Sequence, residues 1–277
     1  MQVIAIGSPS GVHPGVRRVE RTLGEAVDAV AELLADDVVL ATRDEAARRV
    51  ARSVRLVLGP ERIGVLHVDA PVTAWAVMLA GLCSPGLTAS AAPAVAGEVL
   101  SRTTTRVLLS SVASLHRPTP TFRQHAGSFL PRTAFVVDPG RGAERGTVRR
   151  FRGTFGVPDG GDLLVVARSV RPVVPDDDGG LLPRTPDTEL VAADPGWTAA
   201  RWLEASTVGG SLGTAVANAL SRSYLWGACD ACGRAVAGAC IFCDISERRA
   251  RTRSEVPAVT SAPTPTSTPT ETMGVIS

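Results

Sequence analysis

Val3-Ile4-Ala5-Ile6-Gly7 opens the chain with a short apolar run closed by a glycine, and its rhythm governs the reading of the fold. A run this short, mostly β-branched and bounded by glycine, fits a strand buried on both faces. Val38-Val39-Leu40 and Ile63 to Val68 repeat the pattern. Between them, Val16, Val19, Leu23, Ala26, Val27, Val30, Leu33 and Leu34 recur at helical spacing, as do Ala46, Val50, Val54, Val57 and Leu58. Thr42-Arg43-Asp44-Glu45 predicts a capping box for the second of these helices, and Gly59-Pro60 predicts its stop.

Working outward, residues 72–83, 95–101 and 119–130 read as further helices, and 106–112 and 133–137 as further strands. Strands alternating with helices predict an α/β, Rossmann-like three-layer domain with a mainly parallel sheet over residues 1–170. Residues 147–152 and 163–168 suit an antiparallel edge of that sheet. Residues 171–193 hold prolines, Asp176-Asp177-Asp178 and Gly179-Gly180, and read as a linker. Asp194-Pro195 predicts the start of a helix carrying Trp197, Trp202 and Leu203, and Leu212, Ala215, Val216, Ala219 and Leu220 mark another. Together these make a helical connector over 194–223. Ser, Thr and Pro dominate residues 254–277, a composition expected to be disordered.

Cys229-Asp230-Ala231-Cys232-Gly233 and Cys240-Ile241-Phe242-Cys243 are two C-x2-C pairs seven residues apart. Two residues between cysteines let both sulfurs of a pair curl round one ion, and two pairs complete an all-thiolate shell suited to structural Zn²⁺. A rubredoxin-type iron site uses the same ligands with a longer loop. A redox C-x2-C needs a thioredoxin-like context, which is absent here. The stretch resembles a generic short zinc ribbon over about residues 224–247, with a hairpin expected between the pairs. That resemblance implies a closed metal site without catalysis at the metal, and the rest of the chain is unrecognised.

The 277 residues carry a net charge of only +2, so no global field points to nucleic acid or an anionic membrane. All 29 basic residues are arginine, which coding bias explains more simply than phosphate recognition does. Cysteines in one ligand pattern suit a reducing, cytoplasmic setting, with Cys83 left over as a small buried hydrophobe. The first residues lack a basic region and a long apolar core, so no signal peptide is expected. Residues 70–97 carry no charge, but Pro71, Pro85 and Pro93 interrupt them, and a membrane span is not expected.

The loop from Gly7 to Gly15 follows the first strand, where a phosphate loop would lie, but it fits neither the P-loop nor the dinucleotide pattern. Ser10 and His13 in that loop, with Asp69 and Asp138 after later strands, are weak catalytic candidates at the strand ends. Strand-end aspartates are also common turn and cap residues. Arg149, Arg150 and Arg152 surround Phe151, while Arg248, Arg249, Arg251 and Arg253 follow the cysteines. Arginines with an interleaved aromatic can grip phosphates and stack a base. The leading expectation is therefore a zinc-ribbon adaptor that contacts nucleic acid or a protein. The alternatives are an enzyme handling a nucleotide or phosphorylated substrate at the strand ends, and a structural component of a larger assembly.

Overall fold

A computed structural model describes residues 1–7, 13–33, 36–130, 133–140, 146–158, 161–174, 180–191, 197–237 and 240–243. The first sheet is parallel, in the order β2-β1-β3-β4. Its strands are β1 (Gln2–Ile6), β2 (Val16–Val19), β3 (Val38–Thr42) and β4 (Ile63–His67). β3 is buried at every position, as its unbroken apolar run requires. Ile4, Ile6, Leu40 and Ile63 pack on one face against α1 (Leu23–Ala31) and α2 (Glu45–Leu58). Val3, Ala5, Val39 and Ala41 face the main core.

Two local expectations change. Val16–Val19 is not the first turn of a helix: it pairs with β1 as an edge strand, and the helix begins after Thr22. The second helix is capped by Asp44, whose Oδ1 accepts from the Ala47 amide at 2.9 Å, while Thr42 completes β3.

The second sheet overturns the expected single, mainly parallel sheet. Its strands are β5 (Thr103–Leu109), β6 (Phe135–Asp138), β7 (Thr147–Arg150), β8 (Leu163–Arg168), β9 (Asp187–Leu190) and β10 (Trp202–Val208). The order is β7-β6-β5-β10-β8-β9, antiparallel except between β8 and β9. Trp202 and Leu203, expected on a connector helix, instead open β10, which inserts between β5 and β8. The expected linker contributes β9. The α/β class holds; the mainly parallel arrangement describes only the first sheet.

The uncharged stretch forms α3 (Val72–Leu82), buried at all eleven positions, and most of α4 (Ala92–Arg102). A helix apolar all round has no face for water and belongs in the interior. Here α3 packs against β5, β8, β10 and α4 within a core that draws on both sheets. No helix among the described residues is long and apolar enough to cross a membrane. α5 (Phe122–Gly127) and α6 (Leu212–Ser221) complete the helices, and β11 (Gly227–Ala228) with β12 (Ala235–Val236) forms a small hairpin. Residues 1–244 form one compact unit.

Candidate functional site

Antiparallel pairing sets Arg150 of β7 opposite Phe135 of β6, one buried and the other at the sheet margin. The short helix α5 lies against β7, held where Gln124 Nε2 donates to the Val148 carbonyl at 2.6 Å. Thr121 and Gln124 fix the start of α5 with a reciprocal capping box. Gly127 brings the helix close over the sheet, since a Cβ there would lie 3.6 Å from the Phe135 ring.

These elements enclose an open cleft of about 660 Å³. Phe122, Leu130 and Phe135 supply apolar walls, and Arg123, Arg150 and Arg152 supply positive charge. Phe122 is 85% exposed, Leu130 59% and the neighbouring Phe129 74%. Three large apolar side chains wet on one short segment form a patch of the kind that marks a binding surface. Thr133 also lines the cleft, and its buried hydroxyl has no hydrogen-bond partner among the described residues.

A second polar centre is already satisfied internally. Glu204, on the central strand β10, is 1% exposed. Its Oε1 accepts from the Thr73 amide and hydroxyl, both at 2.7 Å, and its Oε2 accepts from Trp197 Nε1 at 2.6 Å. Thr73 lies in the first turn of α3, the place in a parallel sheet where an external anion would bind. The chain fills that place with its own carboxylate.

The weak catalytic candidates are dispersed. Asp138 pairs with Arg106 at 2.6 Å in the second sheet, beside a recess of about 180 Å³. Asp69 is an exposed residue after β4 of the first sheet. His13 Nδ1 accepts from the Gly15 amide at 3.1 Å, and Ser10 lies outside the described residues. Among the arginines, Arg149 Nη2 donates to the Phe155 carbonyl at 3.0 Å, whereas Arg150 and Arg152 line the cleft. Arg248, Arg249, Arg251 and Arg253 lie outside the described residues, as does the tail.

The cysteines do converge. The Sγ atoms of Cys229, Cys232, Cys240 and Cys243 all lie within 4.8 Å of one another. Amides of Ala231 and Cys232 pull the Cys229 thiol down to about 7, whereas burial pushes Cys240 and Cys243 up. Away from this cluster, burial raises the Cys83 thiol to about 11. The hairpin expected between the pairs of a zinc ribbon is nevertheless corrected. The hairpin of β11 and β12 encloses the first pair instead of linking the two, and Cys240, Ile241 and Phe242 are buried in the main core.

No family model matches this sequence, and no curated protein matches it either. The fold is similar to that of a stearic acid-binding protein from Eubacterium ventriosum, with a TM-score of 0.53 and 8% identity. The likeness covers 77% of this chain and 100% of that one. A DegV family protein from Corynebacterium glutamicum aligns at TM-score 0.49 and 11% identity, over 76% of this chain and 98% of that one. One from Eubacterium eligens, loaded with heptadecanoic acid, aligns at TM-score 0.48 and 10% identity, over 75% and 99%. The likeness is one of fold alone.

The adaptor expectation is corrected accordingly. The chain has the fold of a protein described as a fatty acid binder, its cysteine segment is part of the core, and the arginines facing the cleft stand among apolar side chains. The strand-end nucleotide site is corrected too, since Glu204 fills the α3 terminus and the candidate aspartates sit in different sheets. The residues missed in the sequence are Phe122, Leu130, Thr133 and Phe135. Their one legible signal was Phe122, Phe129 and Leu130 clustered on a segment too short to bury them all.

Proposed function

We propose that this chain binds a long-chain carboxylate in the cleft between α5 and β6–β7. The observation that carries this reading is the pairing of exposed Phe122 and Leu130 with Arg123, Arg150 and Arg152 around one opening. The apolar walls take the alkyl chain, whose transfer from water supplies most of the affinity. A guanidinium fork matches a carboxylate with two parallel hydrogen bonds. At about 660 Å³ the cleft falls within the usual range for small-molecule sites. The stearic acid bound by the Eubacterium ventriosum protein of similar fold is the ligand chemistry this arrangement suits. Four cysteines in one metal-ligand pattern fit a reducing, cytoplasmic compartment.

The test is titration of the delipidated full chain with stearate, stearyl alcohol and octanoate. Stearate is expected to bind saturably at one per chain. The alcohol is expected to bind about 10–100-fold more weakly, the worth of hydrogen bonds to a charged group. Arg150→Ala with Arg152→Ala should bring stearate down to the level of the alcohol, and Phe122→Asp should weaken both. Absence of saturable stearate binding, or binding indifferent to all three substitutions, would overturn the proposal.

A further inference from the structure

The four cysteines are not absorbed by the ligand cleft, and their surroundings show what they hold in place. Cys229 and Cys243 Sγ are 3.8 Å apart, and Cys232 and Cys240 Sγ are 3.7 Å apart. A tetrahedral shell with zinc–sulfur bonds of about 2.3 Å sets neighbouring sulfurs about 3.8 Å apart. All four are free thiols. Gly233, at φ +70°, turns the first loop so that its amide meets the Cys229 carbonyl at 2.8 Å, a tight knuckle under the first pair.

The second pair reaches the edge of the first sheet. β4 is an edge strand, and its Val65 amide donates to the Ile241 carbonyl at 2.9 Å. Gly64 leaves the space that Ile241 fills, since a Cβ there would lie 2.6 Å from Ile241 Cδ1. Arg234, between the two pairs, binds Asp37 at 2.8 Å, donates to the Glu61 carbonyl at 2.6 Å and stacks 3.9 Å over the Phe242 ring. Asp37 and Glu61 lie just before β3 and β4. The cysteine segment therefore covers an edge that would otherwise offer unpaired backbone groups to another chain.

We propose that the four thiolates hold one zinc ion and that this ion clamps residues 240–243 onto the open edge of β4. An all-sulfur tetrahedral set without a free position favours zinc in a structural role. A segment of four residues offsets only part of its ordering entropy through these contacts, and the metal supplies the rest.

The test uses the full chain purified under reducing, chelator-free conditions. Elemental analysis should give one zinc per chain, and cobalt(II) exchanged into the site should show the visible absorption of a tetrahedral thiolate complex. Cys232→Ser should lose the metal, whereas Ile241→Ala should keep it. Hydrogen exchange is then compared before and after chelation. The Val65 amide should exchange about tenfold faster or more without metal, while the central strand β1 stays protected. Disulfides, iron, or no metal in the folded protein would overturn the zinc assignment. Unchanged exchange at Val65, or an equal rise across β1, would overturn the edge clamp.

Discussion

Replacing Glu204 with alanine removes the acceptor for three donors at once, two of them buried and one half-buried. Two of them, the Thr73 amide and the half-buried Trp197 Nε1, have no other partner among the described residues. The Thr73 hydroxyl does have one, because Ser206 Oγ lies 2.6 Å away. Two stranded donors at about 1–3 kcal/mol each give about 2–6 kcal/mol. Loss of the negative charge at the α3 N-terminus adds about 0.3–1 kcal/mol, and relief of the carboxylate's own desolvation offsets part of the total. The expected net cost is about 2–5 kcal/mol, a large share of the stability of an ordinary domain. Glu204→Gln keeps one acceptor oxygen and should cost less, about 1–2 kcal/mol. Urea unfolding at constant slope measures both differences. A Glu204→Ala midpoint equal to the wild type, or a glutamine variant as damaged as the alanine one, would refute the claim that this carboxylate ties α3 to the second sheet.

Gly64→Ala should push Ile241 off β4 and cost about 1–3 kcal/mol, as overpacking does. In the Ile241→Ala background the same change should cost little, and a double-mutant cycle in urea reads the coupling. The Cys83 thiol gives a pH dependence of defined sign. Burial raises it from its ordinary value of 9.0 to about 11, so the folded chain keeps a proton that the unfolded chain sheds. Its contribution is fully present below pH 9 and declines as the pH rises from 9 towards 11. Thermal melts across that window should fall less steeply in Cys83→Ala, and wild-type Cys83 should react slowly with iodoacetamide at pH 8.

The first half of the fold was legible because its signals are local. β1, β3 and β4 are short apolar runs between helices with clear apolar faces, and they pair in parallel as that rhythm demands. The second half was not legible, and Trp202–Val208 shows why. Every residue of β10 is buried, including Glu204, so the segment carries no alternation to distinguish a strand from a buried helix. Its partners, β5 and β8, lie about a hundred and about forty residues earlier, and strand pairing at such distances leaves no mark in either segment. The cleft was hidden for the same reason. Arg150 and Arg152 read as one end of a basic cluster until β6–β7 pairing and α5 set them among Phe122, Leu130 and Phe135.

By itself the sequence determined the α/β class, the burial of the uncharged stretch and the convergence of the four cysteines. In each case spacing along the chain constrains neighbours within a few residues. Only the tertiary structure decided that there are two sheets, that Glu204 fills the α3 terminus, that the cysteine segment covers β4, and that apolar and arginine side chains share one cleft. Those outcomes depend on which distant surfaces meet, and that choice is made by the burial of the whole core, not by any local pattern.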